Sequence, residues 1–438
     1  MGTIQFINHA SFLLDYKGVR LICDPWLVGS AFQDGWDLLT PVEKPVDFST
    51  ITHIWFSHEH PDHFSVPSIK SIPAEVRPNI TVLFQTTKDK KVINFCAKQG
   101  FKVQELPLGK NFSLTPEITL TCDKEGIEDS WLFIDTPDFK ILNLNDCVVD
   151  TKYRIRKVNQ ALNGRHPDIL FSQFGYANKI GEEDDIEERL EESRHHTERL
   201  ALQCGIFHPK IIVPFASYIY FSRTDNFYMN SGMNDVAGVE NFLHQYTQAR
   251  PLVLKPLQII DIAQILQAKD IDNRDAVSFY HAAASRIAPK PVTSGDITIQ
   301  VLEKAAEDYK TRLKNYHLIQ KILHTIFPHI FRDRIVFHVT DLDQYFAFDW
   351  SEKSSPCGAE DSHIRISAET LKFLFDFDYG VGTLSINGRY TNHNLPSRVF
   401  RYSFIFGNWR NNGELIPLSY LADRFVEKIT GARKIFEG

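Results

Sequence analysis

Six consecutive residues, His58-Glu59-His60-Pro61-Asp62-His63, follow the apolar run Ile54-Trp55-Phe56 and its terminal Ser57. An apolar run of this kind reads as a buried strand, so three imidazoles and the Asp62 carboxylate emerge where a strand ends. Alternate residues of an extended segment project to one side. His58 and His60 therefore point together, and Asp62 and His63 follow on the turn that Pro61 forces. Two ligand pairs result, enough for two adjacent metal ions. Neutral imidazole suits zinc, iron and similar ions, and a carboxylate adds a hard oxygen donor. The bland alternative is a surface loop that carries histidines by chance, and the order His-x-His-x-Asp-His argues against it.

At 438 residues the chain exceeds the usual single-domain size, so two domains are expected. A hydrophobic fraction of 43% beside 24% charged residues allows a large buried core. The net charge of −7 and a pI near 6.2 provide no global basic field, which argues against nucleic acid as a main partner. The start Met1-Gly2-Thr3-Ile4-Gln5-Phe6 lacks the features of a signal peptide and of a myristoylation site, and no window approaches 18 uninterrupted apolar residues. A cytoplasmic protein with no membrane partner is the expectation. The six cysteines, Cys23, Cys96, Cys122, Cys147, Cys204 and Cys357, stand singly. That pattern fits reduced thiols better than a disulfide framework and offers no iron–sulfur centre.

Taken in order, residues 3–14 read as strands, and a turn at Lys17-Gly18 leads to a further strand at 19–23 that ends in Asp24-Pro25-Trp26. Strands are expected at 80–84, 118–121, 130–134, 139–144, 168–174 and 209–215. Helices are expected from Val66 and over 88–99, the second closed by Gly100. Residues 122–129 read as a loop, and strand and helix alternate as an α/β sandwich requires. The acidic stretch 182–202 reads as a helix with a solvated face. Adjacent helical residues diverge by about 100°, so at most one of His195 and His196 points to any given site. The segment 216–230 has aromatic walls and several hydrogen-bonding heads, and Arg223 is able to hold an anion; the alternative is a tyrosine-rich surface loop. Residues 268–296 contain Lys290-Pro291 and Thr293-Ser294-Gly295, a linker signature. Beyond it a helix is expected over 299–326, strands over 334–339 and 345–350, a strand-to-helix passage over 364–374 and a strand over 380–390.

The His-x-His-x-Asp-His order closely resembles the signature of the metallo-β-lactamase superfamily. The opening, with Asn8-His9-Ala10-Ser11 followed by Asp24-Pro25, looks like the lactonase-like and phosphodiesterase-like branches of that superfamily. Phe171-Ser172-Gln173-Phe174, Pro214-Phe215-Ala216-Ser217 and the stretch after them resemble the metallo-β-lactamase-like part of the CMP-N-acetylneuraminate hydroxylase family, over roughly residues 1–260. This resemblance implies an α/β fold: a metallo-β-lactamase αββα sandwich at 1–265, a linker at 266–298 and a smaller α+β domain at 299–438. The element order of the last loosely resembles sterol-carrier-like modules. Packing is the role expected of it; binding an apolar ligand, completing a pocket and forming a homodimer are the alternatives.

The same resemblance implies the ligands. His58, His60, Asp62 and His63 come from the motif, and Asp146 from Asn145-Asp146, where the superfamily usually has Gly-Asp with a bridging carboxylate. A third histidine normally stands four or five residues before a serine such as Ser130; here Glu125 takes that place, with Asp123 as its neighbour, or neither binds. Ala216 occupies the place of a final histidine, for which His196 is the candidate replacement. His9 either faces the pocket from behind the ligands or holds a turn, and Asp24 supports rather than ligates. Asp62, Asp146, Tyr218 and Arg223 are the expected catalytic residues.

Each carboxylate in place of an imidazole favours iron or manganese over zinc. The superfamily includes diiron oxygenases, among them a chloramphenicol-pathway β-hydroxylase type with Glu at the third-histidine position. The leading expectation is therefore two iron ions, O2 activation and a polar or anionic small-molecule substrate, a nucleotide sugar being a guess from resemblance. The Cys-x-His elements of a Rieske domain do not occur in the sequence, so an external electron donor is implied. The competing expectation is a hydrolase of a phosphodiester, lactone or amide, with Asp62 or Asp146 orienting a metal-activated water. A non-catalytic metal-binding or ligand-binding protein is the third.

Overall fold

The computed structural model describes residues 2–416 apart from 127, 128, 294, 360, 361 and 414. Two seven-stranded sheets face each other. In the first, the strands run in the order Ile259–Asp261, Thr3–Asn8, Ser11–Tyr16, Val19–Cys23, His53–Trp55, Thr81–Gln85, Lys102–Leu106. In the second the order is Arg250–Pro251, Ile211–Phe215, Ile169–Gln173, Lys140–Asn145, Asp129–Asp135, Ile118–Glu125, Lys110–Thr115.

Strand alternation sorts the side chains by face. Phe6, Phe12, Leu14, Leu21 and Trp55 of the first sheet meet Leu132, Leu142, Phe171 and Phe215 of the second in one buried core. Ile7, Leu13, Ile22 and Ile54 point the other way, under Ile69 and Val92 of the helices Val66–Ser71 and Lys91–Lys98. Helices Lys152–Leu162, Ile186–Phe207 and Val236–Tyr246 contribute Val158, Leu200 and Leu243 to the core that the second sheet shares. The arrangement is the αββα sandwich expected.

Both sheets become parallel near their centres. Val19–Cys23, His53–Trp55 and Thr81–Gln85 run parallel in one, and Lys140–Asn145, Ile169–Gln173 and Ile211–Phe215 in the other. Parallel strands deliver their following residues to a common edge, where ligand sites form in sheets of this kind. His58 to His63 and Asp146 all follow such strand ends.

Several elements differ from expectation. The strand Ile118–Glu125 runs through most of the stretch read as loop and pairs with Asp129–Asp135, Glu125 standing opposite Asp129. Within 266–298 lies the helix Arg274–Ala284, whose Ala276 and Tyr280 are buried in the sandwich core. The segment 299–326 is two helices, Ile299–Arg312 and His317–Ile326, joined by a 3-10 turn. Gly380–Asn387 is a helix and not a strand. Its Val381 and Leu384, three apart, are buried together, and a short apolar run does not reveal its period.

The smaller α+β part has a five-stranded sheet in the order Ser355–Cys357, Gln344–Asp349, Arg334–Val339, Ile364–Ile366, Tyr390–Asn392. Its core is rich in aromatic residues, Tyr309, Phe337, Phe348, Phe375 and Phe404 among them. The last stretch assigned to this domain from sequence, 417–438, lies outside the described residues. Among the described residues, no helix is long and apolar enough to cross a membrane.

Candidate metal centre

The motif is anchored at both ends. Phe56 donates its N–H to Leu83 O, 3.2 Å away, which continues the sheet by one residue. The turn after Pro61 is closed by His63 N and Phe64 N, both donating to His60 O at 3.0 and 2.7 Å. Ser65 then caps the helix Val66–Ser71, accepting from Ser68 N. Between these anchors His58 Nε2 and His60 Nδ1 come within 2.9 Å, the pairing that alternate residues predict.

Asp24 organises the inner side. Its φ is 41°, a left-handed conformation that aspartate tolerates better than most residues. The carboxylate accepts from Ser57 N and Ser57 Oγ, both at 2.7 Å, and lies 2.9 Å from His63 Nδ1. A carboxylate facing Nδ1 keeps the proton there and turns Nε2 outward as the donor atom. His63 Nε2 accordingly meets Asp146 Oδ2 at 3.1 Å and Asp62 Oδ2 at 3.5 Å.

The opposite sheet supplies Asp146 and locks it to the motif. Ser130 Oγ donates to Ser57 O at 2.5 Å, and Asn145 Nδ2 donates to Ser130 O at 2.9 Å. Asn145 itself has a φ of 37°. Asparagine is enriched in that region among non-glycine residues, which accounts physically for Asn at this position.

Electrostatics follow from this crowding. His58 is fully buried, and burial, with the neighbouring His63, His60 and His9, holds its imidazole well below the usual range. Burial opposes charge on His63 too, yet Asp146, Asp62 and Asp24 push it well above the usual histidine range. For Asp62 burial again opposes charge, but His63 and His9 bring the carboxyl down to about 2. The three carboxylates thus favour the charged form of the His63 imidazole.

Among the described residues three donor groups can be drawn, each with its ligand atoms within 4.8 Å of one another: His9, Asp62 and His63; His58, His63 and Asp146; His58, His60 and Asp129. Shared members make them one continuous row. Asp62 Oδ1 and Asp146 Oδ1 are buried and have no hydrogen-bond partner among the described residues. Buried carboxylate oxygens normally find a partner, and cations at the row would satisfy both. The residues present fit a pair of metal ions.

Not every expected residue joins the row. Glu125 lies 2.9 Å from Arg154 Nε in an ion pair. Asp123 accepts from Lys124 N and lies against Gly109. His196 is buried with Nδ1 2.7 Å from Arg199 Nη2 and Nε2 3.3 Å from Glu192. Burial and then Arg199 lower its imidazole to about 4. His195 pairs with Glu191 on the outer face of the helix.

Two expected catalytic residues, Tyr218 and Arg223, make contacts within the protein. Tyr218 is buried, donates its hydroxyl to Pro214 O at 3.1 Å and stacks on Tyr280. Arg223 donates to Asp34 O and Pro291 O and pairs with the Asp34 carboxylate at 3.2 Å. A guanidinium with these contacts braces a loop.

Asp129 is the donor that pattern reading passed over, 3.6 Å from His58 Nε2. It stands on the strand after the turn, directly across from Glu125. The signal was present in the Asp129-Ser130 pair, but a reading of 122–129 as loop hid the strand pairing that brings Glu125 and Asp129 to one face.

Residues 3–128, which hold the motif, match the family model described as "Beta-lactamase superfamily domain". Over that stretch the chain is similar to beta-lactamase superfamily domains. The fold around it is the metallo-β-lactamase sandwich. Over 280 residues the chain is 25% identical to the cytidine monophosphate-N-acetylneuraminic acid hydroxylase of Xenopus laevis, covering 60% of this chain and 46% of that one. The chain spans about half the length of the curated relatives it matches. Among solved structures, a "possible metal-dependent hydrolase" from Veillonella parvula overlays with a TM-score of 0.45 at 18% identity, over 59% of this chain and 99% of that one. CmlA, a diiron beta-hydroxylase from Streptomyces venezuelae, overlays with a TM-score of 0.40 at 14% identity, over 60% and 54%.

Proposed function

We propose that this metallo-β-lactamase sandwich holds two metal ions, iron by preference and manganese or zinc as alternatives, and that the protein is an O2-activating oxygenase acting on a polar or anionic small molecule. The observation that carries the reading is the donor set: each of the three groups in the row contains a carboxylate beside its imidazoles. A shell with that share of hard oxygen donors suits iron better than zinc. The similarity to a hydroxylase over the same part of the chain supports it.

His58, His60, Asp62, His63, Asp146 and Asp129 are the proposed ligands, with His9 beside Asp62. Iron held by these residues would supply, when reduced, the electrons for O2 activation. The chain's own part is to fix the donors in advance: Asp24 sets the His63 tautomer, Ser57 and Ser130 tie the two sheets together, and Asn145 aims Asp146. An external donor delivers the electrons in this reading.

A second reading, metal-dependent hydrolysis, has one observation in its favour. The unpartnered Oδ1 atoms of Asp62 and Asp146 are suited to orient a water molecule for attack. Oxygen uptake separates the two. The iron-loaded protein, chemically reduced in a closed cell, is expected to consume O2 above the rate of reductant alone. No added uptake, with turnover of a generic phosphodiester by the zinc-loaded protein, would favour hydrolysis.

A further inference from the structure

One wall of the metal row is held by the smaller domain. Ala31 and Trp36 pair across a tight loop, Ala31 N to Trp36 O at 2.9 Å and Trp36 N to Ala31 O at 3.2 Å. Inside that loop Phe32, Gln33 and Asp34 have φ of 49°, 55° and 57°. Three successive non-glycine residues in this region are unfavourable, and such backbone persists only where its surroundings dictate it. The Phe32 ring is nearly buried and meets the His60 imidazole edge-on, with centroids 5.7 Å apart.

The surroundings that dictate it are four carbonyls, each met by a donor. Asn387 Nδ2 donates to Phe32 O at 2.9 Å. Arg389 Nη1 donates to Gln33 O at 2.8 Å. Arg223 Nε donates to Asp34 O at 3.0 Å, and Asn226 Nδ2 to Gly35 O at 3.0 Å. The first two donors belong to the smaller domain, and both are buried. Arg389 is itself fixed by Asp225 and Glu369, each 3.2 Å away. Asn387 is fixed in turn by Asn226, whose Nδ2 donates to Asn387 O at 2.7 Å. Gly35 allows the approach, because a Cβ there would come within 2.6 Å of the Asn387 side chain.

We propose that Asn387 and Arg389 are positioning residues for His60: by holding the Phe32 loop through its carbonyls, they make the smaller domain a structural part of the metal centre. They touch no proposed ligand directly and act through Phe32. The inference concerns the site proposed above, but its test uses metal-free protein and stands or falls separately.

The test is the histidine spectrum of the metal-free full chain carrying isotope-labelled histidine. Phe32→Leu removes the ring that faces His60 and identifies the signals that sense it. Asn387→Ala is expected to move those His60 signals in the same direction as Phe32→Leu, while the signal of His244 on the outer helix stays in place. Arg389→Lys, which keeps the charge, covers the case in which Asn387→Ala fails to fold, and a smaller shift the same way is expected from it. A merely structural role would not single out His60. His60 signals unmoved in Asn387→Ala and Arg389→Lys, yet moved in Phe32→Leu, would overturn the proposal. Wild-type protein that binds no metal, with the shifts as expected, would sink the proposed function and leave the positioning intact.

Discussion

Replacing His63 with alanine should strip most of the metal from the protein and also weaken the metal-free fold. His63 belongs to two of the three donor groups, with His9 and Asp62 on one side and with His58 and Asp146 on the other. Its loss therefore affects both halves of the row. Without an ion, Asp146, Asp62 and Asp24 favour the charged form of its imidazole. Removing one partner of a buried ion pair typically costs about 3–5 kcal/mol, because the other charge is left uncompensated. Metal titration and a urea melt of the variant test both effects. Unchanged metal stoichiometry would remove His63 from the site. In the same titration Asp129→Asn should weaken metal binding, whereas Glu125→Ala should keep it, since the Glu125 carboxylate is paired with Arg154.

Asp24→Ala is expected to be nearly as damaging while touching no proposed ligand atom. Its carboxylate satisfies Ser57 N, Ser57 Oγ and His63 Nδ1 at once. Hydrogen bonds to a charged group contribute about 1.5–3 kcal/mol each and do not simply add, so a loss of about 3–5 kcal/mol in unfolding free energy is the expectation. Alanine also fits poorly at a φ of 41°. With the carboxylate gone, His63 Nδ1 no longer has a fixed proton. Loss of such a support typically lowers metal affinity about 10–100-fold. Asp24→Asn keeps the backbone preference and should lose less on both scales. A urea midpoint for Asp24→Ala equal to that of the wild type would contradict the role given to this residue.

What could be read from residue order alone was what is local. His58, His60, Asp62 and His63 lie within one turn of chain after a strand, so their convergence follows from strand geometry. Asp146 follows the same logic at another strand end. The sandwich was readable because apolar runs and turn residues alternate regularly through the first half of the chain. Pairing across a hairpin was not readable. Glu125 and Asp129 stand opposite each other and project to one face, and a polar stretch does not reveal that one reaches Arg154 and the other His58.

Tyr218 and Arg223 illustrate a related difficulty, since the structure gives each of them contacts within the protein. A buried loop needs hydrogen-bonding heads for its own carbonyls, and on paper these look the same as heads offered to a ligand. The bracing of Phe32 by Asn387 and Arg389 joins residues more than 350 positions apart. No local pattern announces such a contact, and only positive φ at consecutive non-glycine residues betrays it.

Metal content tests the central claim most directly. Protein purified from iron-supplemented cells, without added chelator, should carry close to two iron ions per chain by elemental analysis, and His63→Ala purified alongside should carry almost none. Stoichiometric zinc with no iron in the wild-type protein would contradict the account, as would a variant that retains the full complement.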